Sequence, residues 1–302
     1  MVIPVLNEDS LIQELIRQVM TNVELVTNDF EIILVDDGSS DNTWDKIEKS
    51  AMNEMRIKGI HLSRNFGHHY AISAGLHNSK GEWVVVMDGD LQDRPEVIPE
   101  LYKKAQEGFD IVFVSRKNRP ETLVYRITQK LFYRLLNAIS GLKFDSTQAN
   151  FSIINKKVVE SFKLFPETAR FYVSTINWLG YKRSKIEANH GVRFSGKTSY
   201  TLQKRIKLAI EVIVSFSNRP LNFAIYLGLT SVIVSLFGFF SIIYKYFTTG
   251  FAVSGWASLI ITVVFFSGIV ITILGVLGVY IGKIFQEAKN RPLYIISKNM
   301  NL

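Results

Sequence analysis

Two acidic pairs are the residues in this sequence best placed to do chemistry. Asp88 and Asp90 stand in VVVMDGDLQD, where an apolar run ends in an Asp-x-Asp triplet. Carboxylates leaving a strand together repel one another and invite a divalent cation. Oxygen ligands suit Mg2+ or Mn2+, which keep positions open for substrate phosphates. An isolated Asp-x-Asp is more often a solvated turn; the strand before it and Leu91-Gln92-Asp93 after it favour a site. Asp36 and Asp37 close a second apolar run in ILVDDGSSDNT. A carboxylate there can accept the imide N–H of a uracil ring, while Ser39, Ser40 and Asp41 are expected to cap the helix starting near Thr43. His68 and His69 are adjacent and would point differently on a helix, so a shared ligand set is not expected. Those two and His77 read as surface or supporting histidines.

Such groups need strands to carry them. VIPV, EIILVDD, KGIHLS, EWVVVMDGD and DIVFVSR are strand-like, and helical stretches such as SLIQELIRQVM lie between them. Alternating strand and helix predicts an α/β fold, a doubly wound and mostly parallel sheet. In such sheets ligands bind at the carboxyl ends of the strands, which is where both acidic pairs fall.

The chain has 302 residues and a formal net charge of +8, yet a positive mean hydropathy of +0.14. The two facts separate along the sequence. Residues 221–243 and 257–281 contain no charged side chain, and each reaches the roughly 20 residues that cross a hydrocarbon core. Basic residues collect before them (Lys182, Arg183, Lys185, Arg193, Lys197, Lys204, Arg205, Lys207) and after them (Lys283, Lys289, Arg291, Lys298). The connector carries only Lys245, so the positive-inside rule puts both termini and the head in the cytoplasm. Residues 202–216 mix basic and apolar positions, as an amphipathic surface helix or a plain domain helix would. MVIPVLNEDS leads into a strand and acidic residues, with no signal peptide expected. No basic stripe or motif for nucleic acid is found. The absence of cysteine excludes disulfides and thiolate metal sites.

Pro4-Val5-Leu6-Asn7-Glu8, Val35-Asp36-Asp37-Gly38-Ser39, Ser63-Arg64-Asn65-Phe66-Gly67 and Asp88-Gly89-Asp90-Leu91-Gln92-Asp93 occur in the order seen in family 2 glycosyltransferases. With two C-terminal apolar segments, the chain resembles the polyprenyl-phosphate hexosyltransferase branch, which includes bactoprenol glucosyltransferases and dolichol-phosphate mannose synthases. The resemblance covers nearly the whole chain. It implies a GT-A-like, nucleotide-sugar-binding catalytic domain over residues 1–200, a juxtamembrane segment over 201–219, a transmembrane hairpin within 220–282 and a basic tail over 283–302. It implies that Pro4, Asn7, Glu8, Asp36 and Asp37 line the nucleoside pocket, with Arg64 at its floor. It likewise implies that Asp88, Asp90 and Gln92 hold Mg2+ or Mn2+ and the diphosphate. Arg116 and Arg126 match positions where the family gathers arginines for an acceptor phosphate. Arg193, Lys197 and Ser199, in RFSGKTSY, resemble a loop that folds over the substrate phosphates.

The chain departs from the pattern at Gln148-Ala149-Asn150-Phe151-Ser152, where many relatives have a carboxylate before an arginine. Asn150 cannot act as a general base. A phosphate monoester has its second pKa near 6, so a phosphate acceptor is already anionic at neutral pH and needs positioning more than deprotonation. A sugar hydroxyl would need the base. The expectation is therefore an inverting transfer of a hexose, glucose first, from a UDP-sugar to undecaprenyl (polyprenyl) phosphate for cell-envelope glycan or O-antigen modification. The place expected is the bacterial inner membrane, and the assembly a homo-oligomer, a tetramer by resemblance. The alternatives are transfer to a glycan hydroxyl, against which stand the missing Gln-x-x-Arg-Trp motif and the count of two spans, and a non-catalytic membrane scaffold.

Overall fold

Short apolar runs buried on both faces become the strands. The computed structural model describes residues 1–117, 148–165, 171–189, 217, 219–249 and 255–302. Along the chain these form β1 (Val2–Val5), α1 (Ile12–Val23), β2 (Ile32–Asp36), α2 (Thr43–Asn53), β3 (Ile57–Leu62), α3 (His68–Asn78), β4 (Trp83–Val86), α4 (Ile98–Ala105), β5 (Ile111–Lys117), β6 (Gln148–Asn155), α5 (Lys156–Lys163), α6 (Tyr172–Trp178), β7 (Arg183–Asn189), α7 (Arg219–Thr249), α8 (Trp256–Ala288) and β8 (Ile296–Met300). Contacts divide the chain into two units: Met1–Leu123 with Asp145–Thr198 and Arg291–Leu302, and Val124–Phe144 with Ser199–Asn290.

In the first unit the eight strands run β7-β5-β6-β4-β1-β2-β3-β8. β4, β1, β2 and β3 are parallel neighbours, as β5 and β7 are. β6 runs antiparallel between β4 and β5, and β8 antiparallel beside β3. The sheet is thus mixed, with its parallel half centred on β1. Both faces are covered, and the period of two sorts the side chains. Ile3, Val5, Ile32 and Leu34 enter one core with Leu15, Val19, Ile47 and Leu101. Val2, Ile33 and Val35 enter the other with Ile72, Leu76, Val158 and Tyr172. α1 reaches its core through Ile12, Leu15, Ile16, Val19 and Val23, one stripe at helical spacing.

The tail after α8, expected only as a basic extension, contains β8. Of the three residues expected to cap α2, Asp41 does bond its start, its Oδ1 accepting from Thr43 N and Oγ1 at 3.0 and 2.6 Å, while Ser39 and Ser40 do not, and Asn42 before the helix makes no side-chain cap. Ser39 and Ser40 are held elsewhere, as described below.

In the second unit α7 and α8 have 31 and 33 residues. Within them Arg219–Gly238 and Thr262–Ala288, with mean hydropathy 1.8 and 2.5, are long and apolar enough to cross a membrane, and neither is buried in the protein. Phe223, Leu229, Phe237, Val264, Ile271 and Leu274 are all more than half exposed. Hydroxyls on these helices bond back to their own turns, Thr230 to Tyr226 O, Ser231 to Leu227 O and Thr272 to Gly268 O. That satisfies them without water.

Candidate functional site

β1 lies between β2 and β4, and the strand order turns there: the chain steps outward through β2 and β3, then returns to place β4 on the other side. Such a switch point opens a crevice at the carboxyl ends of the strands. Asn7 and Glu8 follow β1, Asp36 and Asp37 end β2, Ser63–Gly67 follow β3, and Asp88 and Asp90 follow β4. Backbone topology alone brings four separate sequence motifs to one edge.

The loops after β1 and β2 lock together. Asn7, at φ 54, donates its N–H to Ser39 Oγ at 2.9 Å, and its Oδ1 accepts from Ser40 N at 2.9 Å. Asparagine tolerates that left-handed conformation better than most residues. Glu8 N donates to Thr43 Oγ1 at 2.9 Å. Pro4 is buried inside β1, opposite Val35.

Both carboxylates of the β2 pair are buried and bonded. Asp36 accepts from Ser39 N at 3.0 Å and from its hydroxyl, and pairs with His61 Nδ1 at 2.7 Å. Asp37 accepts Phe66 N and Gly67 N at 2.8 and 2.9 Å. Burial pushes the pKa of Asp37 up, and the two backbone donors oppose it. A carboxylate has about four lone-pair sites, so capacity for a further donor remains. Gly38 makes this junction possible: at φ +70, a Cβ would lie 2.3 Å from Arg64 C and 2.6 Å from Asn65 N. Arg64 is exposed, donates to Asn65 O at 3.0 Å, and stacks 4.1 Å above the Phe66 ring.

Across the crevice, Gly89 lets the Asp-x-Asp turn sit on the end of β1, since a Cβ there would lie 2.6 Å from Val5 Cγ1 and 3.0 Å from Pro4 O. Leu91 takes φ 58 and is buried, which turns the chain so that Gln92 N donates to Asp90 Oδ1 at 3.1 Å. Asp88 N donates to the buried Asp93 at 3.4 Å. The β4–β6 register pairs Val86 with Ser152, so two residues further on Asn150 comes opposite Asp88. Its Nδ2 lies 3.3 Å from Asp88 Oδ1. His68 Nε2, at the start of α3, lies 3.1 Å from the same oxygen and 3.0 Å from the Asn150 amide. Burial works against charge on His68, but the hydrogen bond and charge of Asp88, with Asp37 and Asp90 beyond, outweigh it and raise its pKa. His69 is neutral by contrast: burial brings its pKa down to about 4, and its Nδ1 accepts from Tyr172 N at 3.4 Å.

Among the described residues no group of three or more His, Cys, Asp or Glu side chains is arranged to hold a metal. The donor set at the end of β4 is two carboxylates with Gln92 beside them. That fits an ion such as Mg2+ or Mn2+, which takes one or two carboxylates and completes its shell with water and substrate phosphate.

The structure brings Asn7, Glu8, Asp36, Asp37, Asp88, Asp90 and Gln92 to one edge of the sheet. Arg116 lies on β5 in register with Ala188. Arg126, Arg193, Lys197 and Ser199 fall outside the described residues. The contacts of His61 with Asp36 and of His68 with Asp88 were not read from sequence. His68 directly follows the Ser63–Gly67 motif, which was the one available signal.

The family model of glycosyl transferase family 2 matches residues 1–163. An uncharacterized glycosyltransferase of Bacillus subtilis, YkcC, is 36% identical over 302 residues, covering 100% of this chain and 94% of its own. A bactoprenol glucosyl transferase of Shigella phage SfII is 36% identical over 301 residues, covering 99% of this chain and 97% of its own. Among solved structures, glucosyl-3-phosphoglycerate synthase from Mycobacterium tuberculosis, in complex with Mn2+, UDP and phosphoglyceric acid, aligns with a TM-score of 0.50 at 19% identity. That alignment covers 70% of this chain and 75% of the other. The likeness is one of fold, a GT-A-like mixed sheet. Taken with the motifs gathered at the β1/β4 switch point, these matches mean that the chain belongs to glycosyl transferase family 2 and is a glycosyltransferase.

Proposed function

We propose that this enzyme moves a hexose, glucose first among candidates, from a UDP-sugar to polyprenyl phosphate with inversion at the sugar carbon. The observation that carries the proposal is the convergence of Asp88 and Asp90 with the Asn7, Ser39 and Asp37 loops at the carboxyl ends of β1, β2 and β4, in a chain that also carries two apolar helices not buried in the protein. Its near full-length similarity to phage bactoprenol glucosyl transferases supports glucose as the sugar and a polyprenyl carrier as the acceptor.

In this reading the loops after β1, β2 and β3 hold the nucleoside, with Asp37 available to the uracil imide N–H. Asp88, Asp90 and Gln92 would hold Mg2+ or Mn2+, which supplies neutralisation of the charge on the departing diphosphate. An acceptor phosphate oxygen attacks the anomeric carbon opposite the departing group, and the broken C–O bond's electron pair leaves with UDP. Asn150 stands beside Asp88, where it can donate a hydrogen bond but take no proton. An acceptor already ionised, with a second pKa near 6, suits that residue. Arg116, Arg126, Arg193 and Lys197 are proposed to neutralise the acceptor and donor phosphates.

The enzyme is proposed to sit in the bacterial inner membrane. The head (1–200), the juxtamembrane segment (201–219), the helical hairpin (220–282) and the tail (283–302) keep their order. Both ends of the chain face the cytoplasm, where the basic flanks belong. The pairing of β8 with β3 supports this topology, because strands encoded before and after the two helices share one sheet. They must lie on one side of a bilayer. A homo-oligomer, a tetramer by family resemblance, would make up the assembly.

The deciding experiment incubates the detergent-purified full chain with labelled UDP-sugars, undecaprenyl phosphate and Mn2+. Label extracted into organic solvent, greatest from UDP-glucose, is expected. Absence of lipid-soluble label with every sugar, or equal transfer to free glycans, would overturn the proposal.

A further inference from the structure

Beyond α8 the chain returns to the sheet. β8 pairs with β3 from Gly59↔Met300 to Leu62↔Ile296, and Asn301 Nδ2 donates to Ala51 O and Ile57 O at 2.7 and 2.9 Å. The pairing runs past the end of β3, since Ser63 N donates to Ile295 O at 2.9 Å. One residue earlier in the tail, the Tyr294 hydroxyl lies 2.8 Å from His77 Nδ1 on α3, with ring centroids 5.8 Å apart. Tyr294 and Ile296 also pack on the core beneath α3.

Ser63–Gly67 is the whole of the link between β3 and α3. The tail therefore holds that loop by the strand before it, by its first amide and by the helix after it. The same loop gives Phe66 N and Gly67 N to Asp37 and backs onto Gly38. It includes Gly67 at φ 115. Without its flanks fixed, ordering such a segment would be charged against every binding event.

We propose that Tyr294–Asn301 is a positioning element of the donor pocket, holding the Ser63–Gly67 loop in the form that fixes Asp37 and so setting donor affinity from outside the site. The proposal rests on the donor reading above. It assigns Tyr294 and Ile295 a part in the reaction through the loop, with no contact to either substrate.

The test compares the full chain with Tyr294→Phe, which keeps the ring and removes the hydroxyl, and with a chain ended after Asn290. UDP binding in Mn2+ is measured by calorimetry, donor KM and kcat by transfer, and loop order by hydrogen exchange at Ser63, Phe66 and Gly67. Loss of one hydrogen bond predicts a rise in UDP Kd and donor KM of about 3- to 10-fold for Tyr294→Phe. Faster exchange at the three amides and an unchanged kcat at saturating donor should accompany it, and truncation should extend the same trend. Unchanged Kd, KM and exchange in Tyr294→Phe overturn the proposal. So does a fall in kcat at constant KM, the signature of a merely structural role. If truncation abolishes folding, Tyr294→Phe decides alone. If the full chain binds no UDP, the donor reading fails, and exchange at the loop amides still decides whether the tail positions the loop.

Discussion

Replacing Gly38 with alanine should separate the two loops that meet at Asp37. Its φ of +70 places the new methyl carbon 2.3 Å from Arg64 C, 2.6 Å from Asn65 N and 2.8 Å from Arg64 Cα, all backbone atoms. Carbon contacts are comfortable at about 3.5 Å or more, so the Arg64 segment must retreat by roughly 1 Å. The bonds from Phe66 N and Gly67 N to Asp37, now 2.8 and 2.9 Å, then exceed hydrogen-bond length. The left-handed conformation costs alanine about 1–2 kcal/mol. Two bonds to a carboxylate are worth about 1.5–3 kcal/mol each. The total, roughly 4–8 kcal/mol, is a large part of a typical domain's stability of about 5–15 kcal/mol. Gly108→Ala is the control. Gly108 has a similar φ of +88, but its Cβ would meet only Lys182 Nζ at 3.8 Å, leaving the conformational cost alone. Melting followed by fluorescence and UDP titration by calorimetry compare the two. Gly108→Ala should lower Tm by about 2–4 °C per kcal/mol lost and leave UDP affinity intact. Gly38→Ala should fall several times further and lose at least about tenfold in affinity, the equivalent of about 1.4 kcal/mol. Equal behaviour of the two variants would refute the claim that close approach at Gly38 builds the site.

Asp90→Asn should abolish transfer while leaving detergent extraction and melting near wild type, because its charge is assigned to the metal and diphosphate. Substantial turnover in saturating Mn2+ would remove Asp90 from the ligand set. His69 makes the head acid-sensitive: burial lowers its pKa from 6.5 to about 4, so below pH 6.5 the unfolded chain takes up a proton that the folded chain refuses. This contribution is complete above pH 6.5 and falls as pH drops toward 4, by about 2 kcal/mol between pH 7 and 5. His69→Gln should flatten melting temperature over that interval, and an unchanged slope would contradict the assignment. Ser152→Ala should destabilise by about 1–3 kcal/mol, since it strands the buried Tyr172 hydroxyl 2.8 Å away. Adding Tyr172→Phe should recover part of the loss, and a denaturation series on the parent and the two variants checks both.

The parallel half of the fold was legible because its strands are buried on both faces. VIPV, IILV and WVVV are apolar runs, and a polar residue follows each within two positions. RSKIEAN and ISKNM offered no such run. β7 buries chiefly Ile186, and β8 none of its five residues fully. Edge strands are held by main-chain bonds and need few apolar side chains, so the tail looked like charge alone. The motif residues at the strand ends were readable from topology. The His68–Asp88–Asn150 contact was not, because it depends on β6 entering antiparallel beside β4 with partners 62 and 82 residues apart in sequence. Asp37 was read as a ligand for the base, while its two bonds to the Ser63–Gly67 loop require the fold to be seen.

β8 has a further consequence for how the protein is made. Asn301 meets Ile57 across 244 residues of sequence, and both apolar helices are translated in between. At about 5–20 residues per second, the edge of β3 waits unpaired on the order of tens of seconds. An open edge of that kind is a template for aggregation. In the proposed topology, an even number of bilayer crossings by α7 and α8 is what returns β8 to the side where β3 waits. On that reading sheet closure would report correct insertion, and a misinserted chain would be left with a bare strand.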